Sequence, residues 1–527
     1  MKYLFPILLL ILVSSCDRGF EEANIDPVNP TTTTIDRLFA GYLSLCFWKY
    51  DYWANHAKNG WMNWMQLVSS PNNRGQSAWQ QSDLSRDHLW SMLYTDIFQT
   101  YRIIEQLMES QPQEIQEQSQ YKLAALKILL FFYTSKVTDL YGDIPFFEAG
   151  LGLDPEQPIL RPYFDKQEQI YGYMLEELAA IEARFATEDP LQLDFANSEN
   201  QIDVYFDNDW DKWRRFGNSL RLRLAMRISN IRPALAQQEV AAILGGGLPL
   251  IELPEQQAGW DIGLPGYESV GLNDAHRFDE AQGIKTRASQ RLWYQLAADL
   301  DDASVFDIRA YIFYRKNGIG QWAPIPNSPL AQEQQNISPD PLFDPDAPAL
   351  YSTISPAFMG GRRTPERHFN CSETAFLRAE AILRGWAPGD AENEYKEGIK
   401  RSVEWYVQAW NSVVTSNQKL DPVTDQVLEN IYEAPVNQWD AGKGFELVMT
   451  QKWVDLMLDP LEAYSEWRRT GFPKLEETFT ATGGVMSIPR RYVYPLGESI
   501  DNADHYQDAV SRLSAGDSPQ SRVWWDE

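Results

Sequence analysis

The chain has 527 residues, 44% of them hydrophobic and 23% charged, a balance that excludes wholesale disorder and supplies apolar material for a large core. Against 74 Asp plus Glu stand only 46 Lys plus Arg, a formal charge of -28, so average repulsion argues against nucleic acid or an anionic lipid surface as the main target. With 19 Trp, 25 Tyr and 24 Phe, aromatic surface exceeds what packing needs, and the surplus is a candidate for ligand contact.

In chain order, Lys2 and the apolar run Tyr3 to Val13 read as a secretory signal, too short for the ~20 residues that span a bilayer. Val13-Ser14-Ser15-Cys16 ends that run in the pattern of a bacterial lipoprotein. Residues 1–15 are therefore expected to be removed and Cys16 acylated. Residues 16–34, acidic and broken by Pro27 and Pro30, read as an extended tether.

Helical periodicity then dominates over Ile35 to Tyr52, Asp83 to Glu109, Tyr121 to Leu140, Asp165 to Phe185 and Asp209 to Ile228. In the last of these Trp210, Trp213, Gly217, Leu220 and Leu224 form a stripe expected to be buried, with Arg214, Arg215, Arg221 and Arg223 pointing largely elsewhere. Asp207-Asn-Asp-Trp-Asp211 lacks the glycine and glutamate of a calcium loop and reads as a helix N-cap at Asp209. A second block pairs a helix carrying Phe376, Ala379, Leu383 and Trp386 with one carrying Tyr395, Ile399 and Tyr406, across Ala387-Pro-Gly-Asp390, as in tetratricopeptide hairpins. Helices over Pro422 to Tyr432 and Gly444 to Thr470 follow. The fold class expected is all-α with an irregular, loop-rich lobe: one domain over 35–527, with helical blocks at about 35–244 and 372–470 and the Pro- and Gly-rich lobe at about 245–371, where a long irregular stretch implies function. Cys46 and Cys371 leave a bridge open, and five scattered His argue against a His-based metal centre or triad.

Several segments resemble one family, the SusD/RagB-like nutrient-binding outer-membrane lipoproteins, most closely their second SusD-like branch. They are Asp139-Leu-Tyr-Gly-Asp-Ile-Pro145 with Glu148-Ala149; Trp213 through Arg227; Phe376-Leu-Arg-Ala-Glu-Ala381 with Gly385-Trp386; Gln451-Lys-Trp453; Glu462 through Gly471; Ile488-Pro-Arg-Arg491; and Tyr494-Pro495 with Glu498 and Asn502. The resemblance implies four tetratricopeptide-like helix pairs and an irregular lobe carrying the ligand site. It also implies a partner, a TonB-dependent SusC-like outer-membrane transporter to which captured oligosaccharide or peptide is delivered. The motifs themselves read as structural: Gly142 and Pro145 as a helix exit, Arg468 and Arg469 as partners for acids.

Sugar rings stack C–H faces on aromatics and need planar polar partners for their hydroxyls. Trp61, Trp64 and Trp79, with Asn73 and Arg74 around a turn, are the first candidate set; a core helix face is the competing reading for Trp61 and Trp64. Tyr314 and Trp322, in Tyr311-Ile-Phe-Tyr-Arg-Lys-Asn-Gly-Ile-Gly-Gln-Trp322, are the second, against a hairpin that packs its aromatics inward. Trp260 and Tyr267 are weaker candidates, and Trp524 and Trp525 read as docking onto the body. No nucleophile elbow, HExxH or phosphate loop is present, and no cofactor or metal is implied. The expectation is a cell-surface lipoprotein that binds oligosaccharides and breaks no bond; the alternatives are a peptide receptor of the same fold and a surface glycosidase.

Overall fold

The computed structural model describes residues 34–47, 52–53, 60–69, 83–153, 157–186, 203–260, 286–327, 351–359, 364–479 and 485–526. The N-terminal helix α1 is Ile35–Leu45, capped by the Thr34 hydroxyl, which accepts from the Arg37 amide. Helix α2, Asp83–Ser91, runs through a π segment, Met92–Phe98, into α3, Gln99–Glu109. Then come α4, Gln113–Tyr141, α5, Gln167–Phe185, α6, Trp210–Arg227, and α7, Pro233–Val240. In the irregular lobe the described residues include the short helices α8, Gln290–Leu296, and α9, Arg309–Phe313, and a single turn of helix at Pro356–Met359. The second block is α10, Cys371–Leu383, α11, Ala391–Val413, α12, Asp425–Tyr432, α13, Gly444–Asp455, and α14, Pro460–Thr470, before α15, Leu496–Asp501, and α16, Ala503–Ser511.

Local chemistry sets many of these ends. Asp209, Asn370, Asp390, Thr424 and Asp459 each cap a helix by accepting a first-turn amide, each worth about 1 kcal/mol. Asp209 is thus the cap anticipated. Gly142 leaves α4 with φ 85°, a conformation cheap only for glycine. The helix expected over Gly444 to Thr470 is instead two, because Pro460 supplies no amide to continue the ladder and opens α14 after a 3-10 turn. Likewise α1 stops at Leu45, short of the expected Tyr52.

Helices pack in sequential pairs: α3 on α4, α5 on α6, α10 on α11, and α13 on α14. Gly398 lets α11 approach α10, since a Cβ there would come within 2.5 Å of the Phe376 ring. Phe376, Ala379, Tyr395, Ile399 and Tyr406 are buried, as their spacing indicates. Cys46 and Cys371 are buried free thiols. Among the described residues no helix is long and apolar enough to cross a membrane.

Where the motif segments of α4, α6, α10, α13 and α14 meet, the core is ionic. Arg227 reaches Asp139 at 3.1 Å, Glu466 at 2.5 Å, and Glu462. Arg223 holds Glu373 at 2.5 Å, Lys136 holds Asp459 at 2.8 Å and Glu462 at 3.1 Å, and Arg469 holds Glu380 and Glu466 at 2.6 Å. All of these side chains are buried. This corrects the amphipathic reading of α6: Arg221 and Arg223 are not turned to solvent, because carboxylates await them inside. Arg469 pairs with acids as anticipated, whereas Arg468 donates to the Asp139 and Arg490 carbonyls and lies over the rings of Tyr464 and Trp525. Trp525 docks as expected, its indole donating to Asp139 at 2.7 Å.

The network gives stability a defined pH dependence. Burial alone would raise the Glu462 carboxyl, but Arg227, Lys136, Arg223 and Lys452 outweigh it and hold it well below the usual carboxylate range. Against the same burial, Arg469, Lys452 and Arg227 lower Glu466, and Arg469 and Arg384 lower Glu380. Carboxyls lowered by folding contribute stability that is complete above their unfolded value of about 4.3 and is lost as pH falls below it. Asp203, pushed up to about 6 by burial despite the Trp213 indole and backbone amides donating to it, works the other way: its contribution is complete below about 3.9 and lost as pH rises through 6. Urea unfolding from pH 7 to pH 2 is expected to show a steep loss below about pH 4 that Glu462→Gln flattens; parallel profiles for the two proteins would contradict the assignment.

Candidate functional site

Four short strands form the platform on which the irregular lobe is built. They are β1, Val68–Ser69, β3, Arg287–Ala288, β5, Thr353–Ile354, and β4, Tyr314–Arg315, hydrogen-bonded in that order. A separate pair joins β2, Ala258–Trp260, to β6, Glu366–Phe369. Val68 pairs with Ala288 and Ser69 with Arg287, all antiparallel. Asn327 ties in a further segment: its amide donates to the Val68 carbonyl at 2.8 Å and accepts from the Ser289 hydroxyl at 2.8 Å.

The platform is rigidly footed. Gln66 sits at φ 55°, a left-handed conformation costly for a residue with a Cβ, and is held there by its side-chain amide, which donates to the Glu476 carbonyl at 2.8 Å and accepts from its N–H at 2.9 Å. The Trp453 indole donates to Met65 at 2.9 Å and the Tyr314 hydroxyl to Leu67 at 2.5 Å.

The candidate aromatics divide accordingly. Trp61 and Trp64 are fully buried, Trp61 against Tyr492 and Tyr52, Trp64 edge-on to Tyr464 and Tyr492; the core reading holds, and neither offers a face to a ligand. Tyr314 is buried beneath the sheet, where burial raises its hydroxyl pKa. Trp322 is only 4% exposed. Trp293 lies 4.6 Å away, Tyr311 meets its edge, Lys316 lies over the ring, and its indole donates to Asp302 at 2.8 Å. The exposed turn expected at Trp322 is therefore corrected: the indole braces the lobe from inside, while Ile319 at the turn is exposed. Asn73, Arg74, Trp79 and Tyr267, and the Trp260 side chain, lie outside the described residues, as does Cys16.

A second feature was not foreseen. A groove of 410 Å³ opens between the π segment, the chain after Pro145 and α15, lined by Trp90, Tyr94, Glu148, Leu160 and Glu498 among others. The Trp90 indole donates to Glu498 at 3.1 Å, and its ring meets Tyr94, Tyr141 and Tyr494. Burial raises the Glu498 carboxyl, and Leu160 at the mouth is 80% exposed. The four-residue spacing of Trp90 and Tyr94 was the available signal, but it reads equally as a core stripe. Among the described residues no group of His, Cys, Asp and Glu converges as a metal-ligand set.

Sequentially paired helices with one small four-stranded sheet make the fold class all-α. Residues 44–495 match the second SusD-like family model, described as "starch-binding associating with outer membrane", and the chain belongs to the SusD-like family. Among solved structures it is similar to a chitin-binding protein at 23% identity and TM-score 0.73, over 94% of this chain and 100% of that one. It is also similar to a SusD homolog from Parabacteroides distasonis at 19% identity and TM-score 0.74, over 94% and 98% of the two chains, and to a chitin-binding SusD homolog from Flavobacterium johnsoniae at 20% identity and TM-score 0.68, over 94% and 98%. No curated protein matches the sequence. The fold class and the family expected from the motifs are both shown.

Proposed function

We propose that this chain is an outer-membrane lipoprotein, anchored through Cys16 and facing outward, that captures oligosaccharides and hands them to a TonB-dependent SusC-like transporter without cleaving them. The observation that carries the reading is the match of nearly the whole chain to a family described by starch binding and outer-membrane association. The chitin-binding relatives support a glycan as ligand. Asn73, Arg74 and Trp79 come four to ten positions after Ser69, the end of β1, and the sugar contacts are proposed for them because an aromatic ring beside planar polar groups suits a sugar. A capture protein must release its cargo, so affinities of about micromolar to millimolar, roughly -8 to -4 kcal/mol, suffice.

The test is titration of the soluble form starting at residue 17 with chitin and starch oligosaccharides, other glycans and peptides. A saturable response to one glycan class is expected, with Trp79→Ala weakening it about tenfold, the ~1.4 kcal/mol of one stacking contact. An unchanged dissociation constant would remove Trp79 from the site. Response to peptides alone would replace the ligand class, and release of new reducing ends would make the chain a glycosidase.

A further inference from the structure

The C-terminal strap closes a second cavity, of 360 Å³, where the chain leaves α4 at Gly142 and enters α5. Its lining includes Asp143, Lys166, Gln167, Arg512, Arg522 and Trp524, and it shares no residue with the strand platform. Gln167 is fully buried. Its side-chain amide N–H donates to the Thr138 carbonyl at 2.7 Å and its backbone N–H to Asp143 at 2.9 Å. Because the carbonyl of Thr138 can only accept, the amide orientation is set, and Gln167 Oε1 is left as a buried acceptor with no donor. Such an atom is unfavourable until a donor arrives, and a ligand hydroxyl is a donor of the right kind.

The charges around it are unequal. Asp143 is taken up by Arg512 at 2.5 Å, and Glu168, also on the wall, by Arg232. Lys166 is exposed and has no carboxylate partner among the described residues, and the Arg522 side chain is 52% exposed, donating to the Asp526 carbonyl at 3.2 Å and approaching its carboxylate at 3.7 Å. The mouth is therefore cationic on a chain whose formal charge is -28. Trp524, half-buried beside Tyr171, adds an indole at the same opening. Ring platform, hydroxyl acceptor and exposed cations together match a sugar that carries a carboxylate, and the volume lies at the small end of the ~300–1,000 Å³ of ligand sites.

We propose that this cavity is a subsite for a uronic acid unit: the sugar face lies on Trp524, a ring hydroxyl donates to Gln167 Oε1, and the carboxylate meets Lys166 and Arg522. The proposal rests on the glycan-binding reading and adds to it a second, charge-selective site.

Calorimetric titration of the soluble chain from residue 17 with digalacturonate, and with neutral galactobiose as control, tests it. Digalacturonate is expected to bind at least tenfold tighter than galactobiose and to weaken with added salt, since the mouth is exposed. Lys166→Gln should cost the acidic disaccharide about fivefold and leave the neutral one unchanged, and Trp524→Ala should remove binding of the acidic disaccharide. Both positions are at the rim, and thermal unfolding checks that each variant is folded. Equal affinity for the two disaccharides, or digalacturonate binding untouched by both substitutions, overturns the proposal. Failure of digalacturonate while chitin or starch oligosaccharides bind overturns it and spares the proposed function; silence of every glycan overturns both.

Discussion

Replacing Arg227 with Met is expected to destabilise the protein by about 3–5 kcal/mol, the cost of removing one partner from a buried ionic cluster. The guanidinium is buried and serves Asp139, Glu462 and Glu466 at once, so its loss takes one cation from Glu462 and Glu466, which keep Lys136 and Arg469, and leaves Asp139 with only the Tyr171 and Trp525 donors. Chemical denaturation read by circular dichroism measures the change. A loss under about 1 kcal/mol would show that solvent or a neighbouring cation compensates. The double variant Arg227→Met with Glu466→Gln should recover part of the loss, because the two sites share one interaction and their effects cannot add. The cluster joins α4, α6 and α14, so its failure should unfold the paired-helix body rather than loosen a loop.

Trp322→Ala is the second large effect, about 3–5 kcal/mol of stability for an aromatic truncated in the core, with glycan affinity unchanged. The outcome separates two accounts of one residue. Sequence alone offers Trp322 as an exposed platform beside Asn317 and Gly320, where truncation would cost binding and spare stability. The structure packs it against Trp293 and bonds its indole to Asp302, so truncation opens a cavity under the lobe. A variant as stable as the parent but weaker in glycan binding would reinstate the exposed account.

The contrast marks how far each kind of signal reaches. Helix periodicity, the cap at Asp209, the glycine exit at Gly142 and the tetratricopeptide-like turn before Asp390 depend on neighbours within a few residues, and all were legible. The family motifs were legible too, and their structural character was correctly read. What the arginines of α6 meet was not: Arg227 finds Glu462 across 235 positions, and a charged residue on a helix is ordinarily assigned to water. The candidate site was legible only as a composition of aromatic and amide residues. Trp61, Trp64 and Trp322 carry the same polar neighbours as a binding aromatic would, and nothing local tells an indole packed on Tyr492 or Trp293 from one left open to a ligand.

The sequence by itself determined the helical class and the family, because each is written in local periodicity or in ordered motifs. Only the tertiary structure decided which tryptophans are core, that the motif charges neutralise one another in the interior, that the irregular lobe stands on one four-stranded patch, and that Gln167 is left without a donor. Those are outcomes of long-range packing, where burial and pairing between distant segments outweigh the preference of any single residue.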